Sequence, residues 1–413
     1  MKLNKYLPFA FIYFFFNSLA LPFGLTYTVI LAPFFYAWLL LIKKKDVILP
    51  FLALLIPFII AHFIIGVDTK SYSVSLLNVL LIYIFCQAVY TFLRVSTDPE
   101  KVFRRILVVN FILCLVAIGF FFTPYSEWFW LEQNISAGIT NTRRLKMFTY
   151  EPSYYATIFT PVFFFFLLQY FFRQNRIPSK WLLIMVFTPY ILSFSIGVIG
   201  AVLLAMIFTW LLWCKRLTRK RRVLNAIISS GAFVIAGSVI LGLFFRNNSL
   251  FSRIANIFAG EDTSGKGRTV DAFIFANKML EAGNEYWGIG LGQVKIAGES
   301  IIRDYYLYYK DFTAVIPNAA AETLAIFGWV GFSLRLLIEV FLFFYTRVWT
   351  NYYRLLLFFF MFIYQFTGSF ITNLAEYVIW ILAFTNIFKQ FDVKVNKTDA
   401  GAIIPPLPLQ QAG

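Results

Sequence analysis

Gly197-Val-Ile-Gly-Ala-Val-Leu-Leu-Ala-Met-Ile-Phe-Thr-Trp-Leu-Leu-Trp-Cys214 runs for eighteen residues without a charge and ends abruptly on Lys215-Arg-Leu-Thr-Arg-Lys-Arg-Arg222. An uncharged run of this length suits the hydrocarbon core of a bilayer. A basic cluster directly after it suits a loop held on the cytoplasmic side. On a soluble chain the same cluster would suggest nucleic acid, so composition decides. Of 413 residues, 60% are hydrophobic, 21% aromatic and 14% charged. Soluble proteins carry about 25% charged residues. With 52 Phe and a mean hydropathy of +0.74, too little polar surface remains to cover a globule in water. Disordered, collagen-like and disulfide-stapled classes are excluded by the same figures. The expected fold is an all-α polytopic membrane protein.

Working outward from 197–214, spans are expected at 7–23, 25–42, 47–66, 74–93, 106–122, 153–172, 181–195, 197–214, 223–245, 318–345, 355–371 and 375–388. Two apolar stretches, 181–214 and 355–388, are too long for one helix. They split as helical hairpins at Ser193-Phe-Ser195-Ile-Gly197 and Thr367-Gly368-Ser369. About twelve transmembrane helices put both termini on one side. The loops and tails on that side hold 23 Lys and Arg, the other side holds 12, and Arg335 lies within a span. The richer side is cytoplasmic. The net charge of +16 is then topological, and no nucleic-acid partner is expected. Four regions follow: 1–245 with nine spans and an outside loop at 123–151, a long outside loop at 246–317, three spans within 318–391, and a cytoplasmic tail or linker at 392–413.

Lys2 and Lys5 before an apolar run imitate a signal peptide. Cleavage near Ala20 would break the even parity, so an uncleaved anchor is expected. Cys86, Cys114 and Cys214 all lie in apolar runs and read as small buried hydrophobes. Gly260-Glu-Asp-Thr-Ser-Gly265-Lys266-Gly267 nearly spells a phosphate-binding P-loop. Its last position is glycine where magnesium needs Ser or Thr, so it reads as a solvated loop. Gly288-Ile-Gly290-Leu-Gly292 has the wrong spacing for a dinucleotide fingerprint and reads as a turn on the membrane surface.

Chemistry is expected at the outside loops, where charge meets helix starts. In Arg143-Arg144-Leu-Lys146-Met-Phe-Thr-Tyr150-Glu151-Pro152-Ser153, Pro152 suits the first helical position and Glu151 its cap. The upstream cations are expected to keep Glu151 ionised. Gly265-Lys266-Gly267-Arg268 offers a guanidinium with room for phosphate oxygens. In Ile316-Pro317-Asn318-Ala-Ala-Ala-Glu322, Asn318 is an N-cap whose exposed helix end attracts an anion, with Glu322 one turn in. Each segment also has a plainer reading, as cap, anchor or solvated loop.

These segments resemble the O-antigen and polysaccharide polymerases, relatives of the O-antigen ligases and glycosyltransferases of GT-C type. The sharpest likeness is Tyr150-Glu151-Pro152-Ser153-Tyr-Tyr-Ala156, preceded by Arg143 and Arg144. Gly267-Arg268, the Gly288–Gly292 turn and the Pro317-Asn318…Glu322…Gly328…Gly331 segment follow in the family's order. The resemblance implies a bacterial inner-membrane enzyme of lipopolysaccharide or related polysaccharide biosynthesis. It would join undecaprenyl-pyrophosphate-linked oligosaccharide repeats at the periplasmic face, with membrane lipids and a chain-length-regulating co-polymerase as partners. Arg268, with Arg143 or Arg144, would hold the pyrophosphate. Glu151 or Glu322 would accept the hydroxyl proton, and the sequence does not choose between them. No metal-ligand cluster is visible, and arginine charge can stabilise a pyrophosphate leaving group, so no metal or other cofactor is expected.

The chain departs from the ligases, which carry a histidine where Pro317 stands. That disfavours ligase activity. The sole histidine, His62, lies within the third expected span, where it is either functional or a hydrogen-bonded link between helices. Arg335 and Glu339 share a helix face, which reads as an interior ion pair or part of the cavity. A flippase for the same lipid-linked sugar is the non-enzyme rival. It predicts two similar halves, and no internal repeat is visible.

Overall fold

The computed structural model describes residues 7–18, 21, 25–43, 46–96, 98–133, 142–172, 179–217, 256, 262–306 and 314–393. The chain is mostly helical: α1 Leu7–Phe15, α2 Tyr27–Ile30, α3 Ala32–Lys43, α4 Ile48–Ile65, α5 Thr69–Val95, α6 Pro99–Phe120, α7 Pro152–Phe172, α8 Ser179–Ser193 and α9 Ile196–Leu217. After these come α10 Thr263–Arg268, α11 Val270–Ala282, α12 Val294–Tyr306, α13 Ala319–Tyr345, α14 Tyr352–Tyr364 and α15 Leu374–Phe384. Among the described residues, six helices are long and apolar enough to cross a membrane: α4, α5, α6, α7, α13 and the Ile196–Trp213 part of α9. The protein is therefore a multi-pass helical membrane protein. A helix stands at each other expected span except 223–245, which lies outside the described residues, as does the tail beyond 393.

Helix starts follow local chemistry. Asp68, Asp98, Asp262, Asn318, Asn351 and Asn373 each accept a hydrogen bond from a backbone amide two or three residues on. Both expected hairpins form: α8 and α9 turn at Phe194, and α14 and α15 at 365–373. One element departs from the all-helical expectation. Within the 123–151 loop, β1 Trp130–Gln133 pairs antiparallel with β2 Thr142–Leu145. Trp130 anchors this hairpin by donating from Nε1 to the Ala117 carbonyl at 2.7 Å.

α7 is the central pillar. A helix apolar on every side has no face for solvent, and α7 is buried from Pro152 to Gln169. The main core gathers its phenylalanines with residues of α1, α5, α6, α8, α9, α14 and α15. A second core packs α11 and α12 against α13 and the start of α5.

The Gly288–Gly292 turn is not on the surface as expected. Residues 288–291 are buried, wedged against α13, which breaks at Gly328 (φ 64°). The break frees backbone groups that the turn satisfies. Ile289 and Gly290 amides donate to Ala325 and Ile326 carbonyls at 2.9 and 3.0 Å; Trp329 and Val330 amides donate to Glu285 and Tyr286 at 3.0 and 3.1 Å. Irregular backbone tolerates an apolar surrounding only when paired in this way. Gly288 has φ 77°, and a Cβ there would strike the Ile326 carbonyl. We expect Gly288→Ala to cost about 2–4 kcal/mol. A detergent melting curve measures it; an unchanged Tm would mean that the wedge is loose.

Candidate functional site

Glu151 and Arg268, 117 residues apart, meet at the mouth of the bundle. Arg268 Nη2 donates to Glu151 Oε1 at 3.1 Å. Glu151 is held immediately before α7, and Arg268 ends the short helix α10, which Asp262 caps. Thus residues 263–268 form a helix where the sequence suggested a solvated loop. Asn318 fixes the arginine's backbone by donating from Nδ2 to the Arg268 carbonyl at 2.8 Å and the Phe366 carbonyl at 2.7 Å. The site is therefore tied to the starts of α7 and α13 and to the 365–373 turn.

Both charged side chains are half-buried, with 32% of Arg268 and 21% of Glu151 exposed, so a ligand can reach them. Among the described residues, only Glu151 accepts a hydrogen bond from the Arg268 guanidinium. Its other two nitrogens therefore remain as donors for a ligand. Burial pushes the Glu151 carboxyl up, but Arg268, the Ser153 hydroxyl and Arg144 together hold it below its ordinary value of 4.5. Arg268 is raised: burial opposes its charge, and Glu151 and Tyr364 outweigh that. A carboxylate with a lowered folded value loses its charge only as pH falls through that value. In the ligand-free protein we expect the Glu151 carboxyl to stay ionised from pH 8 to about 5 and to take up its proton only below 4.5. Carboxyl titration by infrared difference spectroscopy, wild type against Glu151→Gln, checks this, and a midpoint near 6.5 would mean that Arg268 does not hold the charge.

The source of the charge on Glu151 differs from the expectation. The distant Arg268 matters more than the upstream arginines. Strand alternation sends Arg143 and Arg144 to opposite faces. Exposed Arg143 pairs with Glu132 at 3.0 Å and the Phe121 carbonyl at 2.9 Å. Buried Arg144 donates to the Ser193 carbonyl at 3.2 Å, fastening the β-hairpin to the α8–α9 turn. Within the same segment, burial lowers the Lys146 ammonium, with Glu127 opposing.

Asn318 is the expected N-cap, accepting from the Ala321 amide at 2.9 Å. The helix end is not an exposed anion site, however. Asn318 is fully buried, and Ala319 and Ala320 amides donate to Gly368 and Gln365 carbonyls at 3.1 and 3.0 Å. Glu322 accepts from the Ile371 amide at 2.7 Å and so pins the same turn.

Arg335 and Glu339 form the expected pair at 3.2 Å, within a larger network. Arg335 also bonds Gln365 at 2.9 Å, Thr323 at 2.8 Å and Glu376 of α15. Ser369 donates to Glu376 at 2.6 Å. The network locks α13, α15 and the 365–373 turn together, and through Asn318 it supports Arg268. His62 links helices: Nε2 donates to the Trp287 carbonyl at 2.8 Å, and Nδ1 lies 3.1 Å from the Tyr72 hydroxyl.

Two site residues escaped the sequence reading. Tyr364 ends α14 close enough to Arg268 and Glu151 for their charges to act on it. Its ring lies where a Cβ on Gly368 would come, 2.8 Å away, so the turn needs glycine there. Glu376 read as one more residue of an apolar span. Neither carries a local signal, because each acquires its role from a neighbour in space.

The chain matches no protein-family model, and no curated protein matches its sequence. The functional reading therefore rests on the geometry and on the resemblance of motif order.

Proposed function

We propose that the protein is an inner-membrane polymerase of lipid-linked oligosaccharide repeats, a GT-C-type glycosyltransferase of about twelve spans with its site at the periplasmic face. The observation that carries this reading is the partly exposed Glu151–Arg268 pair, whose guanidinium keeps two nitrogens for a ligand. A guanidinium in this state takes phosphate oxygens bidentately. The adjoining carboxylate is an ionised proton acceptor.

In the reaction, Arg268 binds the pyrophosphate of the donor chain. An acceptor sugar hydroxyl attacks the donor's anomeric carbon. The bond from that carbon to the pyrophosphate oxygen breaks, and lipid pyrophosphate leaves with the electron pair, stabilised by Arg268. The hydroxyl proton passes to Glu151. A lowered carboxylate is a weak base, but incoming phosphate shares the charge of Arg268 and so raises the basicity of Glu151 as substrate binds. Glu322 is the weaker candidate, because one of its oxygens already holds the Ile371 amide.

The flippase reading draws on one feature, the interruption of α13 at Gly328 near Arg335, since broken helices mark transport paths. Against it, the backbone groups of that break are paired with the 285–290 segment. Gel analysis of surface polysaccharide from a deletion strain separates the readings. Loss of a polymerase leaves single repeats at the surface without a ladder. Loss of a flippase leaves lipid-linked repeats inside, and loss of a ligase leaves polymer on its lipid carrier.

A further inference from the structure

Tyr150 stands immediately before Glu151, and its ring stacks on Tyr154 with centroids 4.7 Å apart at 30°. Tyr154 is buried, so one face of Tyr150 rests on a fixed support. The Tyr150 hydroxyl sits deep, within electrostatic reach of Glu151, Arg268 and Tyr364. Burial first, then Tyr154 and Glu151, push that phenol well above its ordinary range, so it stays neutral. The residue nevertheless remains 38% exposed. A ring backed by a second, buried ring and still accessible leaves surface open to a ligand beside Glu151.

We propose that Tyr150 is a stacking platform for the sugar ring next to the phosphate held by Arg268. The π-face is electron-rich and attracts the polarised C–H face of a saturated ring. A ring already locked by its neighbours loses little freedom on binding. The placement fits a phosphate-linked sugar: the anion goes to Arg268, the reacting centre lies beside Glu151, and the ring extends over the adjacent Tyr150. An isoprenoid chain is the competing occupant of such a face, and it predicts no preference for a sugar.

This assignment rests on the pyrophosphate reading of Arg268, and the test separates the two. Binding of farnesyl pyrophosphate is compared with binding of the same molecule carrying one N-acetylhexosamine, on the purified full chain in nanodiscs. Wild type should bind the glycosylated probe about three- to tenfold more tightly, the size of one aromatic contact. Tyr150→Leu, which retains packing on Tyr154, should bring that ratio to about one, and Tyr150→Phe should retain it. Melting curves of all three confirm folding. A ratio near one in wild type, or an undiminished ratio in Tyr150→Leu, overturns the platform alone. Failure of wild type to bind either probe overturns the pyrophosphate reading and the platform with it.

Discussion

Arg268→Ala should lower polymer formation by about a hundredfold or more while the protein still inserts and folds. Removing one preorganised donor to a developing anion costs about two to three orders of magnitude in rate. The arginine's pair with Glu151 is partly exposed, so its loss should cost the fold little, up to about 1 kcal/mol. Arg268→Lys should recover little of the activity. An ammonium keeps the charge but not the planar fork that can hold Glu151 and phosphate together. Comparison of polymer formed per folded protein checks both variants. Ordinary activity in both would reduce Arg268 to a structural partner of Glu151.

Arg335→Leu should have the largest effect on stability. In the bundle interior it would strip Glu339 and Glu376 of their shared cation and leave Thr323 and Gln365 without a donor. Breaking a buried ion pair from one side costs about 3–5 kcal/mol, because the remaining charge stays buried. The measurement is the melting temperature in detergent or the yield of folded protein. The triple change Arg335→Leu, Glu339→Leu, Glu376→Leu should recover much of the loss, since removing all charges removes the desolvation cost. If the single variant melts as wild type, the network does not hold the 365–373 turn, and the support of Arg268 must lie elsewhere.

The parts of this structure that sequence reveals are those governed by neighbours in the chain. The apolar runs mark α4, α5, α6, α7, α9 and α13, and Asn318 announces a helix start. The i,i+4 spacing of Arg335 and Glu339 announces their pair. Contacts across the chain carry no such signature. Arg143 and Arg144 looked like the main partners of Glu151 because they are near in sequence, but a β-hairpin turns Arg143 to Glu132 and ties Arg144 to Ser193, from where it adds only the smaller part of the field at Glu151. The helix end at Asn318 looked open because nothing local covers it; the turn after α14, nearly fifty residues on, does so. The Gly288–Gly292 turn carried a legible backbone requirement but not its reason, which is the break at Gly328. Glu151 and Arg268 were each visible as candidates, and only the fold makes them one site.

The most direct test is reconstitution. Purified protein in liposomes is supplied with an undecaprenyl-pyrophosphate-linked repeat as both donor and acceptor. Lipid products are resolved by gel, and released undecaprenyl pyrophosphate is quantified. The polymerase reading predicts a ladder of repeats with one lipid pyrophosphate released per bond formed, and no ladder from Arg268→Ala. Single repeats moved across the bilayer without a ladder or release would contradict it.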